Sequence, residues 1–441
     1  MKVLVAMSGG VDSTIAAYLL QKQGNEVIGV NFNFVGANDP TLDEIAKKLN
    51  IKIIYRDFRK EFHDKVITSF VCDYESGITP NPCALCNGIM KFEKLLQVMK
   101  EENCDMIATG HYANVVTVGT SEAVGANAIC KEVGAMHCEP TVVGASYASP
   151  AVRYCIKKSK NSQKDQSYML YRLTQEQLSH IIFPIGDMDK NEVRRFAAEL
   201  GLSVANKKDS QDVCFIKDIS YKEFIKRFEF GDDYKEKIAR GELKETDISS
   251  LPYFRRGEFV DIDGKVLGFH EGIINYTIGQ RRGINIAFGE RKFVVKIDVK
   301  NNQVVLGDDR DLLSSKFQIY DIVYSGMSES AVEAQFTSHH MDEFYEPVAT
   351  GCVSDKKRLF AKLRYRHEGT ECTIVKDNAN GAGMNTDTKG ANTGGAHTCM
   401  GELREPTICA KLASPVRAIT RGQSAVFYDE NDCIMFGGRI L

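Results

Sequence analysis

Val3-Leu4-Val5-Ala6-Met7-Ser8-Gly9-Gly10-Val11-Asp12-Ser13-Thr14 is the stretch on which the interpretation of the chain depends. The apolar run up to Met7 predicts a buried parallel strand, and the apolar spacing from Val11 to Gln21 predicts a helix. Two glycines between them let backbone amides curl around an anion at the positive end of the helix dipole. No Gly-Lys-Ser/Thr follows, so this is not the common phosphate loop with its lysine. A plain tight turn between strand and helix is the alternative.

The composition is that of a globular protein with two or three domains. The chain has 441 residues, of which 43% are hydrophobic and 26% charged, and its net charge is −3. A nucleic-acid surface would therefore have to be a local basic patch. No apolar run is long enough for a membrane span, so we expect no membrane association. Thirteen irregularly spaced cysteines predict a reducing, cytoplasmic location.

The pattern after the loop predicts an α/β fold. Further strands are predicted at residues 26–34, 51–55 and 105–112, and a helix at 41–49. The stretch 183–201 contains another predicted helix, which an Asp or Asn caps and Gly201 closes. Strands that alternate with helices predict a doubly wound parallel sheet, which binds ligands at the carboxyl edge of its strands. Later segments of short alternating strands predict an antiparallel β-barrel. These later strands are 293–297, 303–306, 358–366 and 424–428.

We therefore expect three domains. They are a parallel-sheet domain at 1–216, a small central domain at 217–288 and a C-terminal β-barrel domain at 289–441. A low-complexity loop is expected near 377–400. The segment 117–149 is rich in small residues and fits either an insertion or a mobile lid.

Two cysteines stand in a proline-rich loop, Gly77-Ile-Thr-Pro-Asn-Pro-Cys-Ala-Leu-Cys-Asn87. Helical spacing from Met90 places Cys86 near a helix start, which would lower its thiol pKa. Three interpretations stay open: ligation of zinc or a cluster, a structural role, and a reactive thiol. Ligation would need a second C-x2-C pair, and the sequence has none besides Cys83 and Cys86. Cys214 lies on an apolar run that predicts a strand end, and taken alone it is typical of a core cysteine.

Eight short motifs follow one another along the chain. They are Ser8-Gly-Gly-Val-Asp-Ser13, Asn81-Pro-Cys-Ala-Leu-Cys-Asn87, Gly110-His-Tyr112, Lys164-Asp-Gln-Ser-Tyr168, Lys208-Asp-Ser-Gln-Asp-Val-Cys-Phe215, Gly264-Lys-Val-Leu-Gly268, Tyr276-Thr-Ile-Gly-Gln-Arg281 and Arg364-Tyr-Arg366. In sequence and in order they resemble the motifs of the tRNA-specific 2-thiouridylase family. The first also resembles the pyrophosphate loop of the ATP pyrophosphatases, which split ATP between its α and β phosphates.

The resemblance implies an enzyme that replaces the C2 oxygen of the wobble uridine in the tRNA anticodon by sulfur. ATP would adenylate that oxygen, a cysteine persulfide would deliver the sulfur, and AMP and pyrophosphate would leave. By the motif match, Cys86 is the nucleophile and Cys214 carries the persulfide, with a disulfide between them after turnover. Asp12 would help to hold Mg²⁺ against the phosphates. The implied partners are ATP, Mg²⁺, tRNA, and a sulfur donor that is a cysteine desulfurase or a sulfur-relay protein.

The same resemblance implies two sets of binding residues, and it implies no resident metal site. The ATP-binding residues would be Ala6, Met7, Ser8, Gly9, Gly10, Val11, Asp12, Ser13, Phe32 and Gly110. The RNA-binding residues would be Asn81, Pro82, Cys83, His111, Lys164, Asp165, Gln166, Arg364, Tyr365 and Gln423.

Two other classes of function remain open. A ligase or amidotransferase with the same loop, such as a GMP- or arginine-pathway synthetase, needs no Cys86–Cys214 pair. A non-catalytic metal or cluster module would instead use Cys83, Cys86 and Cys214 as ligands. Metal analysis of protein purified without oxygen separates this last class from the enzymes.

Overall fold

The computed structural model describes residues 1–36, 40–118, 153–202, 213–284, 286, 291–335, 357–375 and 408–441. The expected low-complexity loop at 377–400 and all but the first two residues of the 117–149 segment lie outside the described residues. Within them, no helix combines the length and the apolar character that crossing a membrane requires.

The first sheet consists of five parallel strands. They are β1 Lys2–Ala6, β2 Glu26–Asn33, β3 Lys52–Asp57, β4 Met106–Ala108 and β7 Ile181–Ile182. Their order in the sheet is β3–β2–β1–β4–β7, and all four neighbouring pairs are parallel. The order reverses between β1 and β4, and a crevice opens at the carboxyl ends of strands at such a point. The doubly wound parallel sheet is thus confirmed, and the glycine loop lies at its switch point.

Helices cover both faces of this sheet, because the side chains of β1 alternate between two apolar cores. Val3 and Val5 pack into one core and Leu4 into the other. The first core is covered by α1 Val11–Lys22, α2 Thr41–Leu49 and α8 Lys190–Glu199. The second is covered by α5 Pro82–Cys86, α6 Phe92–Glu101 and α7 Gln175–Leu178. The remaining elements of this part are α3 Arg59–Phe62, α4 Thr68–Glu75 and the antiparallel pair β5 Ala113–Val118 and β6 Arg153–Lys158.

A four-stranded central sheet follows three helices. The helices are α9 Tyr221–Phe230, α10 Tyr234–Ala239 and α11 Glu245–Ser250. The strands are β8 Gly257–Val260, β9 Val266–His270, β10 Phe293–Asp298 and β11 Gln303–Gly307, in the order β10–β11–β8–β9.

The prediction that the strands at 293–297 and 303–306 belong to the C-terminal barrel is wrong. Both pair within the central sheet, where Val294 and Leu306 pack in the same core as Phe259. Alternating apolar residues mark a strand but do not identify its neighbours, so the sequence pattern assigned both strands to the wrong sheet.

The C-terminal part is a closed barrel of six strands. They are β12 Leu313–Tyr324, β13 Leu359–Lys362, β14 Thr370–Val375, β15 Ile408–Arg417, β16 Ser424–Tyr428 and β17 Ile434–Ile440. The short helix α12 Glu329–Glu333 follows β12. The order is β12–β15–β14–β13–β16–β17, and every neighbouring pair is antiparallel. The predicted antiparallel barrel is therefore confirmed.

The barrel is packed directly against the parallel-sheet part. Val426 and Tyr428 of β16 lie in the same apolar core as Leu170 and Tyr171. Burial of each large apolar side chain contributes about 1.5–3 kcal/mol. The core that holds β1 and α6 therefore also fixes the barrel against the parallel-sheet part.

Candidate functional site

The loop after β1 is closed by its own hydroxyl groups. The Ser13 hydroxyl donates to the Gly10 carbonyl at 3.0 Å and accepts from the amide of Ser8 at 3.3 Å. Gly9 has a φ of 73°, a left-handed conformation that favours glycine. The loop is therefore held in a tight curl at the start of α1.

The start of α1 is open to an anion. Gly10 is the N-cap residue and has no side chain that could cap the helix. The amides of Val11, Asp12 and Ser13 have no acceptor within the helix, because the first turn leaves them without one. An anion that lies over the loop would meet these donors and the positive end of the helix dipole.

Gly110 completes the crevice from the neighbouring strand. It follows β4, and a Cβ atom added to it would lie 2.6 Å from the carbonyl carbon of Asp12 and from the amide nitrogen of Ser13. Only glycine fits at this distance. The structure thus brings 6–13 and Gly110 together, while Phe32 lies near the carboxyl end of β2, the other neighbour of β1.

The carboxylate of Asp12 already has cationic and hydroxyl partners. The Lys190 ammonium donates to both carboxylate oxygens at 2.8 Å, and the Tyr112 hydroxyl donates to Oδ1 at 2.8 Å. A magnesium ion needs unprotonated oxygen ligands with space around them. Asp12 as the structure shows it does not fit the expected Mg²⁺ ligand, because an ammonium group occupies both oxygens.

Cys86 is placed differently from the sequence expectation. The helix begins at Pro82, where the Asn81 side chain accepts a hydrogen bond from the amide of Ala84. Cys86 is the last residue of α5, and a π-helical turn, Asn87–Lys91, connects it to α6. The helix therefore begins at Pro82, four residues before Cys86, and not after Cys86 as the spacing from Met90 predicted.

The expected lowering of the thiol pKa is wrong as well. Burial raises the pKa of Cys86 to about 12, and the nearby Lys91 only partly opposes this effect. Burial also lowers the pKa of Lys91, whose ammonium is held among thiols. The Lys91 Nζ lies 3.4 Å from Nε2 of His111, and His111 Nδ1 lies 2.7 Å from the Thr109 hydroxyl. Burial and the charge of Lys91 lower the pKa of His111.

Cys214 lies in a turn and not at the end of a strand, so that prediction is wrong too. The next residue, Phe215, is held by aromatic contacts to Phe62, Phe70 and Phe224, with ring centroids 5.1–5.8 Å apart. Phe215 and Cys86 pack against the same apolar cluster around Phe62, which brings Cys214 near the helix that carries Cys83 and Cys86. All three cysteines are free thiols.

The described part of the chain contains no group of three or more His, Cys, Asp or Glu residues placed to hold a metal ion. The cysteines at 83, 86 and 214 are therefore near one another without forming a ligand set in this arrangement.

We expect the Cys86 thiol of the free protein to react slowly with iodoacetamide at neutral pH. A pKa of about 12 leaves a thiolate fraction of only ~10⁻⁴ at pH 8, and the thiolate is the nucleophile. The alkylation rate of the Cys86 peptide, measured by mass spectrometry, should rise about tenfold per pH unit from pH 6 to 9.5 without a plateau. A cysteine in an unstructured peptide, with a pKa of about 8.5, is the control and should level off. A plateau for Cys86 below pH 9 would contradict the assignment.

Asn81 and Gln423, two of the expected RNA-binding residues, lie where the barrel contacts the start of α5. The Asn81 side chain donates to the Ser424 hydroxyl at 3.1 Å. Gln423 donates to the carbonyls of Thr79 and Pro80 at 3.2 and 3.1 Å. The loop that precedes Pro82 is therefore fixed by β16 of the barrel and its preceding turn.

The segment 164–168 adjoins the same junction. Tyr365 is exposed, and its ring centroid lies 6.4 Å from that of Tyr168. Arg364 is exposed beside it and donates to the Arg417 carbonyl. These positions form a surface that combines exposed arginine with an aromatic ring, which is typical of RNA contact.

Two residues of the expected RNA-binding set have their side chains engaged inside the protein. The buried Asp165 carboxylate accepts from the Ser167 hydroxyl at 2.8 Å and lies 3.5 Å from the Lys362 ammonium. The Gln166 side-chain oxygen accepts from the amide of Tyr112 at 3.0 Å. Both side chains therefore stabilise the fold at this point; Asp165 is buried, while Gln166 remains partly exposed.

Sequence reasoning missed Lys91, Lys190 and Phe215 as site residues. In the sequence, Lys190 is only the first residue of a capped helix. Lys91 follows Cys86 by five residues, and this spacing brings the two side chains together only because the intervening turn is π-helical. Phe215 was part of a quoted motif, but its aromatic partners are far from it in sequence. No local pattern in the sequence signals these three roles.

The comparisons with known proteins cover the whole chain. Family models match residues 1–218 ("tRNA methyl transferase HUP domain"), 249–308 ("tRNA methyl transferase PRC-barrel domain") and 384–440 ("Aminomethyltransferase beta-barrel domain"). The tRNA-specific 2-thiouridylase MnmA of Lachnoclostridium phytofermentans is 35% identical, over 100% of this chain and 99% of the relative. Its counterpart in Clostridioides difficile is 34% identical, over 100% and 98%. A similar protein of Acetivibrio thermocellus is 34% identical, over 100% and 99%.

The parallel sheet with its glycine loop, followed by a central sheet and a closed barrel, defines the class of proteins with an N-terminal HUP domain. The relatives then specify the family within that class. The chain belongs to the tRNA-specific 2-thiouridylase family, and it is therefore an enzyme of tRNA 2-thiolation.

Proposed function

We propose that the protein thiolates C2 of the wobble uridine in a tRNA anticodon, by adenylation with ATP and sulfur transfer from a persulfide. One observation carries this proposal. Cys86 and Phe215, the residue after Cys214, pack against the same apolar cluster around Phe62, although they are far apart in the chain. A chain of contacts joins them to the glycine loop, because Lys91 contacts His111, and Gly110 packs on the start of α1.

The loop is suited to the phosphates of ATP. The amides at the start of α1 offer donors to the pyrophosphate as its charge develops, which is where fixed dipoles are most effective. The C2 oxygen of uridine attacks the α-phosphorus, the bond to the bridging oxygen breaks, and pyrophosphate leaves. The adenylated oxygen then leaves as AMP, a far better leaving group than a carbonyl oxygen. This proposal uses no step that depends on a metal ion bound by Asp12.

The thiols would then deliver sulfur. Cys214, at the surface, accepts a sulfane sulfur from a donor protein and becomes a persulfide. The terminal sulfur attacks C2 and displaces AMP. The Cys86 sulfur attacks the Cys214 Sγ and its proton passes to the departing thiolated base, so that the outer sulfur stays on the base and a disulfide forms between the two cysteines. A dithiol reductant restores both thiols before the next turnover.

The partners in this proposal follow from the chemistry. The target base must leave its stack to reach the crevice, which is easiest in the single-stranded anticodon loop. Arg364 and Tyr365 would contact that loop, and their exposure on the barrel supports this assignment. The donor of the sulfane sulfur would be a cysteine desulfurase or a relay protein. Thiols that cycle through a disulfide suit a reducing compartment, so a cytoplasmic location is part of the proposal.

We expect ATP consumption that depends on tRNA to yield AMP and pyrophosphate in equal amounts. Purified protein, ATP, a cysteine desulfurase with cysteine as the source of sulfane sulfur, a dithiol reductant and an anticodon stem-loop are incubated, and the nucleotides are separated by chromatography. The matched control is the same stem-loop with cytidine at the wobble position, which should give no AMP. Release of ADP and phosphate would refute the proposal. So would a digest of the uridine stem-loop without 2-thiouridine by mass spectrometry.

A further inference from the structure

Three adjacent strands deliver three elements to one point at the carboxyl edge of the sheet. β1 leads to the glycine loop, β4 leads to Gly110 and Tyr112, and β7 is followed by α8, which starts with Lys190. Asp189 and Glu192 form a capping box there, with bonds of 2.7 and 2.9 Å to the backbone. The position of Lys190 beside the loop is therefore fixed by its own helix end.

Lys190 is nearly buried, with its side chain 8% exposed, and its ammonium lies 2.8 Å from both oxygens of Asp12. The Tyr112 hydroxyl binds the same carboxylate at 2.8 Å, which fixes its orientation. Asp12 is a residue of the phosphate-binding loop itself, in the first turn of α1. A lysine that common phosphate loops carry in their own motif is absent from the Ser8–Ser13 sequence.

We propose that Lys190 is the phosphate-binding cation of the nucleotide site, supplied from α8 and held in place by Asp12. The Asp12 carboxylate keeps the ammonium at the loop when no nucleotide is bound, and the phosphates then share it. This inference rests on the proposed function, since it concerns the same loop. It replaces the expectation that Asp12 serves the phosphates through a magnesium ion.

The Lys190 ammonium should increase the affinity for pyrophosphate, and the Asp12 carboxylate should decrease it. The anion is attracted by the Lys190 ammonium and repelled by the Asp12 carboxylate, and both are partly shielded from water. Lys190→Met should weaken the binding of inorganic pyrophosphate about tenfold, and Asp12→Asn should strengthen it by a similar factor. The double variant should return to within about threefold of the original affinity, because the local net charge is restored.

The test is isothermal titration calorimetry with inorganic pyrophosphate in a buffer that contains EDTA, so that no divalent ion contributes. Arg195→Met is the matched control, because Arg195 is on the same helix and its side chain is 63% exposed. The affinity of this variant for pyrophosphate should equal that of the unaltered protein. Lys190→Arg should bind within about threefold of the original protein. Melting curves show whether each variant is folded.

Three results would overturn the inference. They are unchanged affinity in Lys190→Met, weaker binding in both single variants, and no pyrophosphate binding by the unaltered protein without metal. None of these results removes the proposed function, which depends on AMP formation with tRNA. Conversely, loss of that reaction alongside the predicted order of pyrophosphate affinities would refute the thiolation proposal and leave Lys190 as the cation of the loop.

Discussion

Replacing Cys86 or Cys214 by serine should reduce thiolation by on the order of 10³-fold or more, because each sulfur has a step that oxygen cannot perform. Without Cys214 no persulfide forms at the site. Without Cys86 the persulfide sulfur that has reached the base is not released from Cys214. Both variants should still bind ATP and tRNA nearly normally, since neither side chain is part of the glycine loop or the barrel junction.

The assay is mass spectrometry of nucleosides from an anticodon stem-loop after single turnover. Cys83→Ser is the matched control: it changes a neighbouring free thiol on the same helix, and its effect should be mild. If Cys83→Ser is as inactive as Cys86→Ser, and metal co-purifies in a fixed ratio, the cluster hypothesis would displace the persulfide route.

Gly110→Ala should weaken ATP binding about 30- to 100-fold, equivalent to about 2–3 kcal/mol. The added methyl group would lie 2.6 Å from backbone atoms of Asp12 and Ser13. These atoms belong to the start of α1, so relief of the clash must move the amides that face the phosphates. Equilibrium binding of a non-hydrolysable ATP analogue measures the effect.

Gly36→Ala is the matched control for that variant, because a Cβ at Gly36 would meet no atom of the described residues within 4 Å. Its affinity for the analogue should equal that of the unaltered protein. A Gly110→Ala protein that binds the analogue normally would show that the nucleotide lies elsewhere on the sheet edge. A difference that appears only in the melting temperature would lead to the same conclusion.

The sequence predicted the parallel sheet well because its signals are local. An apolar strand, a glycine pair and a helix with 3.6-residue spacing identify the β1–α1 unit without reference to the rest of the chain. Asp189 and Gly201 likewise mark the two ends of α8, since a capping residue and a C-terminal glycine stand at fixed offsets. Such features depend on neighbours within a few residues.

What the sequence could not predict depends on contacts between distant residues. The pairing of Lys190 with Asp12 spans 178 positions. The burial that raises the pKa of Cys86 comes from packing around the π-helical turn. The sheet to which β10 belongs is decided by partner strands that a pattern of alternation does not name. The hydrogen bonds of Asp165 and Gln166 within the protein likewise involve residues that the sequence motif does not identify.

The cysteine loop, residues 77–87, is held in place by contacts with the C-terminal barrel strands. This has a consequence for synthesis on the ribosome. Gln423 and Arg439 bind Thr79, Pro80 and Asp73, more than 340 residues earlier in the chain. The glycine loop can form as soon as the early strands have emerged, whereas the support of the cysteine loop waits for the last barrel strands. A nascent chain is therefore able to acquire its nucleotide crevice well before its thiol-bearing loop is fixed, and the order of translation separates these two events in time.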